Sequence, residues 1–377
     1  MNRLGSWILA ALILGRFSTG MAATTWYVNE LTGIDRNSCR SATAACRTIG
    51  HAISLAASGD SVRVAAGTYA EHLTIGISLE LIGAGASTTI IDGSRTGRVI
   101  MIPNAGSVVT LANVTIRNGV PTYGFGVYGG GIVNQGTLTI NSSTVSGNEA
   151  LGDGDSYGGG ILNNVGSKLT INNSTLNGNI ARCANRYTSC NAGGAGIYNN
   201  GGTVAINNST IAGNNAGAAP LMNASRSQGG GIYNSVILTI SNSTVWANGA
   251  WRGSGIYGSA HLQNSIIAYN HSLSLAEGNC DGPVTSIFSL SSDNSCNLNG
   301  PGDLNNVNPK LGTFGNNGGP TQTIPLLSGS PAIDAGNPSG CTDGLGHLLE
   351  TDQRGLPRPN TEDRSGCDMG AYERQGD

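Results

Sequence analysis

The residues able to do chemistry are few and unevenly spread. Between positions 99 and 276 the chain carries three acidic side chains, Glu149, Asp153 and Asp155, all within one short stretch. Glycoside hydrolysis by paired carboxylates needs one on each side of the scissile bond, and acids confined to a single loop do not supply that. β-Elimination needs a basic side chain beside a calcium ion held by several carboxylates. Asp153-Gly154-Asp155 offers two calcium ligands on a glycine-rich run, and Arg182, Arg186, Arg226 and Arg252 stand on or beside the neighbouring variable segments. An Arg–Asp constellation is therefore the one catalytic arrangement the central region leaves open. The five histidines form no metal-ligand pair, and no nucleophile elbow is present. Aromatic rings are a second resource: Tyr198, Tyr233 and Tyr257 each follow an isoleucine in a recurring motif.

That motif belongs to a repeat, which must be read before any local structure. Five segments begin Gly129-Gly-Gly-Ile132, Gly158-Gly-Gly-Ile161, Gly194-Ala-Gly-Ile197, Gly229-Gly-Gly-Ile232 and Gly253-Ser-Gly-Ile256. Each runs on into Leu-Thr-Ile or a close variant, then into Ser-Thr-aliphatic-x-x-Asn ending at Asn148, Asn179, Asn214, Asn248 and Asn270. The repeat isoleucines are 29, 36, 35 and 24 residues apart, and the extra length falls in one place, at 149–157, 180–192 and 215–228. Three fixed segments with one variable corner describe a coil of a solenoid, each short strand pairing with its equivalent about 4.8 Å along the axis.

Asparagines mark the corners. Asn134, Asn163, Asn199 and Asn234 recur after the first strand, and Asn173, Asn208, Asn242 and Asn264 after the second. Asn accepts the left-handed backbone of tight corners, and its amide can both donate to and accept from the equivalent residue one coil away, so both columns are expected to stack as ladders. Alternation along the first strand points the isoleucine inward and Val133, Leu162, Tyr198, Tyr233 and Tyr257 outward. The three tyrosines then form an exposed column suited to sugar rings. Thr144, Thr175, Thr210 and Thr244 form a second outward column.

Composition fits this reading. Glycine supplies 59 of 377 residues while charged residues are only 11% and apolar ones 38%, too little charge and too much periodic apolar content for disorder. The start reads as a secretory signal peptide over 1–23: Arg3, an apolar run over 7–14, then small residues near Ala22-Ala23. The remainder holds 17 basic and 22 acidic residues, a net charge of −5, which gives no footprint for nucleic acid or anionic lipid. No later run is long enough to span a membrane. The eight cysteines fall in sequence-local pairs, Cys39 with Cys46, Cys183 with Cys190, Cys280 with Cys296 and Cys341 with Cys367, and proximity favours those disulfides among the 105 pairings that eight cysteines allow. No C-x2-C spacing points to zinc.

The Gly-Gly-Gly-Ile and aliphatic-x-x-Asn motifs resemble the paired repeats of polymorphic outer membrane proteins, with Val145, Leu176, Ile211, Val245 and Ile267 where that family carries Phe. More broadly, the body resembles the pectin-lyase-like superfamily. Cys46-Arg-Thr-Ile-Gly-His-Ala-Ile53, Gly59-Asp60 and Ala66-Gly-Thr-Tyr69 are similar to the N-terminal region of many such proteins. The resemblance implies a right-handed parallel β-helix. A helix over 47–57, with Ile49, Ala52, Ile53 and Ala56 on one face, is expected to cover the first coil, because an open coil end is an unpaired sheet edge.

From Glu277 the repeat fades. Gly318-Gly-Pro-Thr-Gln-Thr-Ile-Pro-Leu-Leu327, Ser330-Pro-Ala-Ile-Asp-Ala-Gly336, Thr351-Asp-Gln-Arg-Gly-Leu-Pro-Arg-Pro359 and Cys367-Asp-Met-Gly-Ala-Tyr-Glu373 resemble the C-terminal module called the choice-of-anchor Q domain, over about residues 305–373. Four residues follow Glu373, and no anchoring tail is expected. Asp334, Asp343, Asp352 and Asp368 are expected to make turns and pair with arginine. The organisation expected is thus a signal peptide at 1–23, an all-β parallel β-helix with its N-terminal cap at 24–276, and a disulfide-pinned C-terminal cap at 277–377. The functional expectation is an exported or cell-surface monomer that binds a polysaccharide or surface glycan, without a required cofactor. A pectate-lyase-like enzyme using calcium at Asp153 and Asp155 is the competing expectation.

Overall fold

A computed structural model describes residues 23–121, 124, 126–183, 190–218, 227–272, 278–343, 345–360 and 366–376. The proposed signal peptide therefore lies outside the described residues apart from Ala23, as do Arg186 and Arg226. The chain is a right-handed parallel β-helix. Three sheets run its length, and every strand pairs in parallel with its counterpart one coil away. The first sheet has eight strands, from Leu73–Thr74 to Cys280–Asp281, and contains the repeat isoleucines. The second has ten, from Thr25–Val28 to Val284–Ile287, and the third ten, from Gly67–Ala70 to Leu304–Asn305. Register is strict: Ile132, Ile161, Ile197, Ile232 and Ile256 stand one above another, all fully buried. Each such side chain removed from water contributes about 1.5–3 kcal/mol, and the core repeats that gain coil by coil.

The variable corners are more than loops. Glu149–Gly152, Ile180–Cys183, Asn215–Ala218, Gly249–Ala250 and His271–Ser272 pair into a fourth sheet. Val127–Tyr128, Ser156–Tyr157, Ala192–Gly193 and Ser227–Gln228 form a fifth. Insertions that stack like this obey the same one-coil register as the body, so together they build a thin ridge along it. Ala181, Ala195, Ala216 and Ala250 fill its interior.

The asparagine columns differ from one another. Asn134, Asn163, Asn199 and Asn234 are buried, and each Nδ2 donates to the next Oδ1 at 2.7–2.9 Å. A longer ladder that the repeat motif only hinted at runs Asn148, Asn179, Asn214, Asn248, Asn270, Asn279, linked at 2.8–3.0 Å. The column Asn173, Asn208, Asn242, Asn264 has the left-handed backbone expected of corners, with φ between 47° and 52°. It is not a continuous ladder. Asn208 donates to Asn173 and Asn264 to Asn242, but between the two pairs the amides turn to the C-terminal segment. Asn208 donates to the Thr351 carbonyl and accepts from Arg358 Nη1, while Asn242 donates to the Thr342 carbonyl.

Both ends of the stack are closed. The helix Ile49–Leu55, N-capped by Thr48, buries Ile49 and Ala52 against the first coil, and Cys39–Cys46 lies beside it in the same core. At the other end coil pairing continues past position 277, through Val284–Ile287, Leu290–Ser291 and Leu304–Asn305. The segment 292–303 closes that end: Cys280–Cys296 pins it and Leu298 joins the solenoid core.

The remaining C-terminal residues are not an end cap but a strap along the side of the third sheet. An antiparallel arm, bridged at Leu311–Leu326 and Gly315–Thr323, reaches back to the coil of Thr175, which donates to the Gln322 carbonyl at 2.6 Å. Gln353 accepts from Thr210 and donates to Thr175, and Ala371 N–H donates to Thr244. The threonine column at 175, 210 and 244 is therefore buried, and only Thr144 of the four remains part-exposed. The strap's own interior holds Cys341–Cys367 and two buried ion pairs, Arg358–Glu373 and Arg354–Asp352. Asp352, Asp343 and Asp368 accept backbone N–H groups at turns.

Candidate functional site

The corner where the fifth sheet meets the first is lined by aromatic rings. Tyr198, Tyr233 and Tyr257 pair in register and stack with centroids 4.5 and 5.2 Å apart. The stack is longer than the first strand alone supplies. Tyr157 lies 4.3 Å below Tyr198, and Tyr128 lies 5.8 Å below Tyr157. Val133 and Leu162, the residues of the column in those two coils, are buried, and the ring arrives instead from the fifth sheet. The signal was in the sequence: Tyr128 and Tyr157 directly precede the glycine motif, where later coils carry Gly193, Gln228 and Arg252. Each coil thus contributes one tyrosine, from one side of the glycines or the other.

Interplanar angles of 16–25° turn the ring faces onto one another. What Tyr198, Tyr233 and Tyr257 present outward is therefore a row of edges and hydroxyls, not the open faces the sequence suggested. Burial, followed by the neighbouring acid or tyrosine, pushes the Tyr157 and Tyr198 hydroxyls well above the ordinary tyrosine range, so both stay protonated. Cations stand at both ends. Arg252 lies 5.7 Å over Tyr257 and is paired with Asp281 at 2.6 Å. Arg98 donates to the Tyr128 and Gly129 carbonyls, and with Gly97, Pro121, Gly126 and Tyr128 it lines a shallow cleft of about 320 Å³. Tyr128 is 42% exposed there.

The carboxylates of Asp155 and Glu149 are engaged. Asp155 accepts the Tyr157 hydroxyl at 3.0 Å and both the backbone N–H and the amide of Asn191. Asp153 lies two residues away with its N–H donated to the Gly124 carbonyl. Glu149 faces the other side of the ridge, its two oxygens each 2.8 Å from an arginine, Arg95 and Arg182. Among the described residues, Asp155 and Glu149 thus meet different partners, and Arg252 is paired with Asp281 rather than with an acid of the ridge. Cys183–Cys190 joins the two described flanks of the 180–192 insertion. Among the described residues, the one cluster of potential metal ligands is Cys39, Cys46 and His51, and its two thiols are consumed in a disulfide.

No family profile and no curated protein matches the chain. Solved structures do resemble it. Pectate lyase Pel9A matches with a TM-score of 0.54 at 12% identity, over 94% of this chain and 98% of its own. Pectin methylesterase PemA from Erwinia chrysanthemi matches at 0.38 and 15% identity, over 74% and 82%. Pectin methylesterase from Yersinia enterocolitica matches at 0.38 and 12%, over 75% and 87%. No helix among the described residues is long and apolar enough to cross a membrane. At such identities the likeness establishes a shared fold and no shared chemistry: the chain has the parallel β-helix architecture of pectate lyase.

Proposed function

We propose that this chain is an exported glycan-binding protein that holds polysaccharide along the tyrosine corner. The observation that carries the reading is the five-ring stack from Tyr128 to Tyr257, flanked by Arg98 and Arg252. Successive rings stand 4.3–5.8 Å apart, a repeat that a run of hexose rings can follow. A pre-stacked row loses little entropy on binding, because each ring is already fixed by its neighbours. Four disulfides favour an oxidising compartment. The polysaccharide-acting names of the structural neighbours agree with a glycan ligand. The engaged state of Asp155 and Glu149 favours binding over turnover.

Screening the mature protein on a glycan array, with a parallel assay for reducing or unsaturated ends, tests this. Tyr233→Ala should weaken the best glycan by about 1–2 kcal/mol, a modest hot spot. Unchanged binding in that variant removes the tyrosine corner from the reading. Turnover of pectate with calcium that vanishes when Asp153 and Asp155 are both replaced by Asn would establish the enzyme instead.

A further inference from the structure

A second cleft opens on the opposite flank, at the tip of the strap's arm. It encloses about 390 Å³ between Ala86, Ser87, Ile90, Thr115, Arg117, Thr144 and Ser146 of the solenoid and Asn316 to Gln322 of the arm, a size typical of small-ligand sites. Its floor continues the row of outward threonines that holds the strap. One coil further on, Thr175 donates to a peptide carbonyl of the arm, and Thr321 donates to the carbonyl of Asn173. The next two coils bind the strap through Thr210 and Thr244. At Thr144 the strap stops. The hydroxyls of Thr144 and Ser146 have no hydrogen-bond partner among the described residues.

A cation stands at the same place. Arg117 is fixed through Nε alone, at 2.7 Å from Asp92 Oδ2. Asp92 is itself held by Ser94 N–H and the Asn118 amide. Burial works against the Asp92 charge, but the bonds from Arg117, Ser94 and Asn118 outweigh it and hold its carboxyl below the usual range. The guanidinium is therefore oriented by a buried carboxylate while Nη1 and Nη2 bond nothing among the described residues. An arginine with two free, pre-aimed donors suits a carboxylate.

We propose that this cleft is a docking site for a short, extended peptide segment bearing a carboxylate, which lies against the arm tip and places its acid on Arg117. The peptide class follows from the occupants of the adjoining coils: the same row of hydroxyls already meets peptide groups there, the Gln322 carbonyl at Thr175 and the Ala371 N–H at Thr244. The site is distinct from the tyrosine corner and does not rest on it.

The test uses the full mature protein and N-acetylated tetrapeptides with a central glutamate, in free-acid and amidated forms, each with a glutamine counterpart. Titration calorimetry should show the glutamate peptides binding at least tenfold more tightly than the glutamine ones. Amidation distinguishes a side-chain acid from a C-terminal one as the group read by Arg117. Arg117→Gln should erase the preference for acid, and Thr144→Val should weaken both series three- to tenfold, with the melting temperature of each variant close to that of the parent. Tyr233→Ala should leave peptide binding unchanged, which separates this site from the glycan reading. The proposal is overturned if no glutamate peptide binds at millimolar concentration, if Arg117→Gln leaves the acid preference intact, or if acidic disaccharides bind through Arg117 where the peptides do not.

Discussion

Asn214 shows how much one side chain carries here. Its amide donates to the Leu176 carbonyl and to Asn248, and its oxygen accepts from the backbone and side chain of Asn179. Removing it strands several buried groups at once, at about 1–3 kcal/mol each. Asn214→Ala should therefore lower stability by about 3 kcal/mol or more in urea unfolding. Asn141→Ala should cost under about 1 kcal/mol, because Asn141 sits in the part-exposed side ladder and accepts one bond, from Asn172. The corner asparagines were legible in the sequence because the left-handed backbone restricts residue type. What their amides bond to was not. Asn134 and Asn208 look alike in the repeat, yet Asn134 continues its own column while Asn208, bonded to Asn173 on one side, turns on the other to Thr351 and Arg358, residues more than 140 positions away. Pattern within a repeat reports only on neighbours one period apart.

The same limit governs the elements. Three strands per coil follow from alternation and from the shared frame, and the capping helix from its apolar face. The two ridge sheets were hidden because Glu149–Gly152, Ile180–Cys183 and Asn215–Ala218 share little sequence; backbone pairing, indifferent to side chain, holds them in register. Closure of the far end was assigned to too long a segment, since Val284–Ile287 and Leu290–Ser291 carry a coil without the glycine motif. The element that closes it, 292–303, hangs on Cys280–Cys296. Replacing both cysteines with Ser should cost about 3 kcal/mol, as for a disulfide closing a loop of this length. Replacing Cys183 and Cys190 should cost less, because the ridge strands on either side remain paired through Ile180–Cys183 and Ala192–Gly193. Thermal melts of the two double variants give the comparison.

At the scale of the molecule, two carboxyls far apart in the chain, Asp368 in the strap and Asp60 at the first coil, respond to pH with opposite signs. Burial, then repulsion from Glu373, raises the Asp368 carboxyl to about 7, and burial likewise raises Glu373 against the opposing pull of Arg358. A carboxyl whose folded pKa is raised stabilises the docked strap below the ordinary carboxylate range, and that contribution is lost as pH rises through about 7. At the first coil, bonds from Ala57, Trp26 and Thr24 outweigh burial and lower Asp60; its contribution is present above the usual range and is lost in acid. Hydrogen exchange, corrected for intrinsic rates, should show Met369 N–H, bonded to Ala332, less protected at pH 8.5 than at pH 5.5. Ser61 N–H, bonded to Thr24, should lose protection only in acid, below the ordinary carboxylate range. Asp368→Asn, which keeps an acceptor for the Asp334 N–H, should flatten the first trend and leave the second.

The strap also has a mechanical consequence. A solenoid is held along its axis only by bonds between successive coils, so a pull on its ends can open it one coil at a time, like a zip. The strap ties Thr175, Asn208, Asn242 and Asn264 to a single disulfide-bonded body, a splint across coils that would otherwise part in sequence. Under tension the splinted half should hold as one unit, while the coils before Thr144 pay out singly. Force on this molecule is then absorbed at its N-terminal half, as a ladder of small steps preceding one large rupture in single-molecule extension.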